Sequence, residues 1–140
     1  MTLAVKTSLL FSGLFLLAGM LAGVWKYREM MKSKTHEAPV YVDIAHRASL
    51  LYAFASLVIA KLLEYSPFSV SIQIFIALVP ISYFTLTIIG YIKLGWQRVE
   101  ITQFSERNFI TTWFMYSLIA AEIGGVALIV GGFIYTQFVV

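Results

Sequence analysis

The fold is decided by the stretch Asp43–Lys61, DIAHRASLLYAFASLVIAK. It has the length of a membrane-spanning helix, because about 20 residues cross the hydrocarbon core of a bilayer. It nevertheless carries ionisable side chains at Asp43, His46, Arg47 and Lys61. Such groups are rare in spanning helices and usually face the interior of a helix bundle. We therefore interpret this stretch as a spanning helix with one polar face.

The composition of the whole chain is typical of an integral membrane protein. Of its 140 residues, 60% are hydrophobic and 12% are charged, whereas about a quarter of the residues are charged in soluble domains. The chain has no cysteine, which excludes disulfides, thiolate catalysis and cysteine-ligated clusters. It also has no nucleotide-binding loop, serine nucleophile elbow or zincin motif. We expect no metal site and no nucleic-acid partner.

Four apolar segments predict an all-α integral membrane protein, a bundle of four transmembrane helices in a single domain over residues 1–140. The segments cover about residues 7–25, 44–63, 70–92 and 109–135. The first is nearly of full spanning length, which favours a retained span over a cleaved signal peptide. The connection over residues 64–69 is short, so spans two and three should be antiparallel neighbours. Pro80 should kink span three or leave a backbone carbonyl unpaired.

The distribution of positive charge predicts the orientation in the membrane. Seven lysine and arginine side chains fall in the connections between spans one and two and between spans three and four: Lys26, Arg28, Lys32, Lys34, Lys93, Arg98 and Arg107. The opposite side has Lys6 and Lys61. By the positive-inside rule both connections are cytoplasmic, and both termini lie on the non-cytoplasmic side. We expect a multi-pass protein of the cytoplasmic (inner) membrane.

The ionisable residues of span two are predicted to share one helix face, which should point into the bundle. That face consists of Asp43, His46, Arg47, Leu50, Phe54, Leu57, Lys61 and Glu64. Asp43, His46 and Arg47 form a polar cluster at its cytoplasmic end. Asp43 and Arg47 are four residues apart and can pair along the helix.

Glu122 is the single acid deep in span four. It lies roughly 20 Å from the cytoplasmic edge, and Lys61 lies roughly 22 Å from His46, at a rise of about 1.5 Å per residue. Matched depth and opposite charge predict an intramembrane ion pair between Lys61 and Glu122. The pair would either fix the register of the helices or form part of a proton or small-ion path. Alternatively, Lys61 extends to the outer interface.

Small residues recur in three of the spans and predict close helix packing. They are Gly19, Ala22 and Gly23 in span one, Ala45, Ser49, Ala53, Ser56 and Ala60 in span two, and Ala121, Gly124, Gly125, Gly131 and Gly132 in span four. The sequence leaves open whether they pack within one chain, in a homo-oligomer or in a larger membrane complex.

His46 lies about one turn inside the cytoplasmic end of span two. It is a candidate metal or haem ligand, a proton acceptor, or an interfacial histidine bonded to Asp43. Ala45-His46 opens span two after a short apolar span one and a cytoplasmic connection, and a long apolar span four follows. This layout resembles the small four-span bacterial membrane isomerases, styrene oxide isomerase and the hydroxylaminobenzene mutases. In styrene oxide isomerase the corresponding histidine holds a haem b whose iron is a Lewis acid, in a trimer. The resemblance implies that His46 is the axial ligand of haem b.

Three hypotheses for function follow from these residues. The first is a non-catalytic accessory or assembly subunit, since packing explains each polar residue adequately. The second is a haem-binding, isomerase-like enzyme centred on His46. The third is a proton or small-ion conductor that uses Lys61 and Glu122. The lipid bilayer is the expected environment in every case.

Overall fold

The computed structural model describes residues 1–139 as four long helical segments joined by three connections. The helices are α1 (Leu3–Lys32), α2 (Val40–Leu63), α3 (Val70–Trp96) and α4 (Met115–Ile134). At both ends α4 continues into π-helical turns, Ile110–Phe114 and Tyr135–Val139. All four segments are long and apolar enough to cross a membrane. The prediction of an all-α bundle with four membrane-length helices is therefore confirmed.

Several helices extend beyond the apolar segments that predict them. α1 ends at Lys32 rather than near Trp25, and α2 begins at Val40, directly after Pro39. The two added turns of α1 consist largely of Lys, Arg, Glu and Met, which are good helix formers whether or not they are buried. Hydropathy therefore marks the apolar part of each helix but not the ends of the helix.

The middle of the bundle is formed by α2 and α3, with α1 on one side of this pair and α4 on the other. α1 packs against α2 and α3, and α4 packs against α3 and α2. Within residues 1–139, α1 and α4 do not contact each other. This arrangement leaves much of α1 and α4 uncovered by the chain itself.

The inward face of α2 is its small-residue face. Ala45, Ser49, Ala53, Ser56 and Ala60 are all buried, which confirms that they form a packing seam. Their short side chains allow the backbones of neighbouring helices to approach closely.

The prediction that the charged face of α2 points into the bundle is wrong for most of that face, although His46 contacts α1. On that face Phe54 is 67% exposed, and the side chains of Arg47 and Lys61 are also largely exposed. Ile59, on the opposite face of α2, is 2% exposed. The face of α2 with the shortest side chains packs against the neighbouring helices, because it allows the closest approach. The long side chains of α2 therefore point away from the bundle.

The connections over residues 33–39 and 97–109 lie at the same end of the bundle, which we call the basic end. There Arg98 pairs with Glu29 at 2.7 Å, and the backbone N–H of Gln103 donates to the Tyr41 hydroxyl at 2.8 Å. At the opposite end the Thr2 hydroxyl donates to the Gln73 side chain at 3.1 Å. The basic connections are thus gathered at one end and the N-terminus lies at the other.

Candidate functional site at the basic end

Asp43 joins α1 to α2 at the basic end. Its two carboxylate oxygens pair with Lys26 of α1 at 2.6 Å and with Arg47 of α2 at 2.8 Å. Asp43 lies in the first turn of α2, where its negative charge also interacts favourably with the helix dipole. The Asp43–Arg47 pair that the spacing predicts is formed.

Lys26 is a partner that sequence reasoning missed. It follows the apolar run of α1, and Asp43 precedes the apolar run of α2. Both residues therefore lie at the same edge of the apolar region, on helices joined by one short connection. The position of both residues at the same edge of the apolar region is the sequence feature that indicates the Lys26–Asp43 pair.

His46 faces α1 and does not bond to Asp43. Its Nδ1 lies 2.8 Å from the carbonyl oxygen of Gly19. A carbonyl only accepts hydrogen bonds, so this contact places the ring proton on Nδ1. Nε2 is then the nitrogen with a free lone pair, which is the form in which histidine binds a metal.

Gly23 makes room for the imidazole ring. A Cβ at Gly23 would lie 2.9 Å from His46 Cε1 and 3.1 Å from His46 Nδ1, so the imidazole ring would have to shift. Gly19 has the same role beside Leu50, where a Cβ would lie 2.6 Å from Leu50 Cδ2. The two glycines of α1 therefore fix how His46 is held.

The second histidine, His36, lies in the α1–α2 connection in a left-handed conformation with φ of 58°. It borders an open cavity of about 310 Å³ together with Lys26 and Asp43. Among the described residues, no three His, Asp or Glu side chains are grouped to hold a metal ion.

The ion pair predicted between Lys61 and Glu122 is not formed. Lys61 Nζ instead pairs with Glu64 Oε2 at 2.6 Å, and the Lys61 side chain is 63% exposed. Glu122 Oε1 is buried without a hydrogen-bond partner. The two residues do not match in depth along the bundle: Tyr65, one turn past Lys61, accepts a hydrogen bond from Thr136, which lies 14 residues beyond Glu122 in the chain. Glu64, one turn from Lys61 on the same helix, is the nearer acid.

Glu122 belongs to a different group of residues, between α2, α3 and α4. It lies one helical turn from Leu118, which lines a cavity together with Tyr52 and Tyr91. Two further buried hydroxyls, of Ser56 and Thr87, also have no hydrogen-bond partner within residues 1–139. Sequence reasoning did not single out this grouping, because its members come from three different helices, α2, α3 and α4.

The outward face of α4 carries a row of small residues, which we call the α4 seam: Ala120, Gly124, Ala127 and Gly131. All four are exposed, and a Cβ at Gly124 or Gly131 would meet no atom within 4 Å. The inward glycines behave differently, since a Cβ at Gly132 would lie 3.0 Å from the Phe68 ring. The glycines of α4 thus divide into an inward packed set and an outward uncovered set.

Comparison with known proteins found no match to this chain among protein-family models, curated proteins or solved structures. Function is therefore inferred from the chain's own geometry.

Proposed function

We propose that this chain is a four-span integral membrane protein that acts as a non-catalytic accessory or assembly subunit. Its basic end lies in the cytoplasm, and both termini lie on the non-cytoplasmic side. The gathering of the basic connections at one end of the bundle supports this orientation, because cytoplasmic loops carry an excess of Lys and Arg.

The observation that carries the assembly role is the uncovered α4 seam. Lipid tails are as apolar as leucine, so membrane helices associate through close backbone approach at small residues. Residues 120, 124, 127 and 131 recur at steps of four and three, which keeps them on one helix face. The chain itself places nothing against Gly124 or Gly131. A helix from another chain, either a second copy or a different membrane subunit, packs on this face.

The particle mass of the protein, extracted from its membrane in a mild detergent, tests this role. We expect the wild type to have a mass larger than that of one chain. Gly124→Leu should reduce the mass to that of one chain, because the leucine side chain holds the neighbouring helix away. Gly13→Leu is the matched control, since Gly13 is also exposed with no atom within 4 Å of a Cβ. A wild type extracted as a single chain, or a complex that survives Gly124→Leu, contradicts the role.

A haem-binding, isomerase-like role is the second candidate, and the hydrogen bond between His46 and Gly19 favours it. This bond orients the ring and leaves Nε2 as the lone-pair nitrogen, as in histidines that bind metals. By resemblance to the small four-span isomerases, a bound haem b would supply a Lewis-acidic iron. His46 would hold it as the axial ligand, and Gly23 would keep the ring in place.

An absorption spectrum of protein purified from cells supplied with haem tests the second candidate. A Soret band that disappears in His46→Ala and persists in His36→Ala would support ligation by His46. A colourless wild type, or a band that survives His46→Ala, would exclude it. The third hypothesis, conduction through Lys61 and Glu122, lacks the ion pair on which it was based.

A further inference from the structure

A cavity of about 340 Å³ lies between α2, α3 and the start of α4. Tyr52 of α2, Thr87 and Tyr91 of α3 and Gln103 of the α3–α4 connection supply its polar groups. The remainder of the lining is apolar and includes Phe114. A mostly apolar cavity with a few convergent polar groups, of about 300 to 1,000 Å³, is typical of small-molecule sites.

The unpaired polar atoms of the protein are concentrated around this cavity. Within residues 1–139, the buried side-chain atoms without a hydrogen-bond partner are Ser56 Oγ, Thr87 Oγ1 and Glu122 Oε1. Thr87 lines the cavity, while Ser56 and Glu122 each lie one helical turn from a lining residue, Tyr52 and Leu118 respectively. Buried polar atoms are normally paired, because an unpaired one costs free energy. Thr87 therefore presents a hydroxyl to the cavity, and Ser56 and Glu122 lie one helical turn from residues of its lining.

The charge and the aromatic rings of this region favour a cation. Glu122, one helical turn from Leu118 of the lining, supplies a carboxylate beside the cavity, and Tyr52 and Tyr91 supply aromatic rings within the lining. The Tyr52 ring is held in place by stacking on Phe84, with a centroid distance of 4.2 Å. Faces of tyrosine rings attract ammonium groups, most strongly where water is excluded.

We propose that this cavity binds a small amphipathic amine. The protonated amine donates hydrogen bonds to the Glu122 carboxylate and the Thr87 hydroxyl, and the Tyr52 ring lies beside it. An ammonium group has three N–H donors and no acceptor, which complements a set of unpaired acceptors. The apolar body of the ligand occupies the space between Gly90 and Phe114. This site is separate from the α4 seam and from His46, so it stands independently of the proposed function.

Gly90 offers a way to fill the cavity without disturbing the protein. It lines the cavity, and a Cβ at this position would meet no atom within 4 Å. A leucine side chain at residue 90 therefore occupies the ligand's space rather than displacing a neighbour. Gly13 of α1 provides the matched control, because a Cβ there also meets no atom and lies far from the cavity lining.

Equilibrium dialysis of the full chain in detergent micelles tests the proposal with two probes of similar shape. These are para-butylbenzylamine and the neutral para-butylbenzyl alcohol, each corrected for partition into empty micelles. We expect the wild type and Gly13→Leu to bind the amine more tightly than the alcohol. Glu122→Gln should weaken amine binding about tenfold or more and leave alcohol binding unchanged. Gly90→Leu should abolish binding of both probes.

Amine binding that is unchanged in both Gly90→Leu and Glu122→Gln overturns the proposal, as does a wild type that binds no more than empty micelles. A wild type that prefers the alcohol overturns the assignment of an amine. Circular dichroism checks that each variant keeps its helix content. If Glu122→Gln misfolds, Thr87→Ala is measured in its place. We expect Thr87→Ala to lower amine affinity about threefold. Amine binding that is unchanged in both Gly90→Leu and Thr87→Ala then overturns the proposal.

Discussion

Gly125 of α4 packs directly against Pro80 of α3. A Cβ at Gly125 would lie 3.2 Å from Pro80 Cδ and 3.1 Å from the carbonyl oxygen of Ile76. Because proline has no N–H, the Ile76 carbonyl lacks its usual partner within α3. The glycine allows the backbone of α4 to cover this carbonyl at close range. Such cover by a neighbouring helix is how apolar bundles tolerate an internal proline.

Gly125→Val should destabilise the bundle by about 1 to 3 kcal/mol, because the new side chain must displace Pro80 or the Ile76 carbonyl. Gly13→Val is the control, since it makes the same chemical change at a glycine outside the α4 seam where a Cβ would meet no atom within 4 Å. Both free energies of unfolding are measured in mixed micelles by titration with a denaturing detergent. Equal changes in the free energy of unfolding of the two variants would contradict a close contact between Gly125 and α3.

His46→Ala should lower the free energy of unfolding by at least about 1 kcal/mol, the usual contribution of one hydrogen bond. The loss arises from the bond to the Gly19 carbonyl and from the contact with Gly23. His36→Ala serves as the control, because His36 is exposed in a connection. The same titration measures both variants. If His36→Ala lowers the free energy of unfolding as much as His46→Ala does, His46 does not stabilise the contact between α1 and α2.

Asp43→Asn should destabilise the basic end by about 1 kcal/mol at low ionic strength, because Lys26 and Arg47 lose their shared carboxylate. The effect should shrink at a salt concentration of about 1 M, where partly exposed charges are screened. Glu37→Gln controls for the removal of an exposed acid in the adjacent connection. Unfolding titrations at two salt concentrations provide the measurement, and a loss that does not depend on salt would contradict an electrostatic origin.

Glu122→Met should stabilise the isolated bundle by about 1 kcal/mol or more, because it removes a buried oxygen that has no partner. Lys61→Met should change stability by less than about 0.5 kcal/mol, as is usual for an exposed side chain. A true intramembrane pair would behave in the opposite way, and breaking it would cost about 3 to 5 kcal/mol in either variant. Unfolding of both variants in mixed micelles distinguishes these outcomes.

The number and order of the helices could be predicted from the sequence because apolar run length is a property of the chain alone. The short connection over residues 64–69 likewise predicted that α2 and α3 are neighbours, and they are. The small-residue seam of α2 was predicted from the spacing of Ala45, Ser49 and Ala53. Each of these features depends on residues close to one another in the sequence.

The site could be predicted only where its contacts are local. Asp43 and Arg47 pair within one helix, so their spacing was sufficient. Lys61 and Glu122 lie on different helices, and their contact depends on how each helix is rotated about its axis. The rotation of α2 is set by its small-residue face rather than by its charges. Similarly, the contact of His46 with Gly19 requires knowledge of which face of α1 meets α2.

Cross-linking from the α4 seam is the most direct test of the proposal that α4 packs against another chain. The protein has no cysteine of its own, so Ala127→Cys provides a single attachment point for a short photo-reactive linker in native membranes. Ile119→Cys places the same group on α4 at an exposed position away from the seam. We predict a discrete product of higher mass from Ala127→Cys and little product from Ile119→Cys. No product from Ala127→Cys, or equal yields from the two positions, would contradict the role of α4 in assembly.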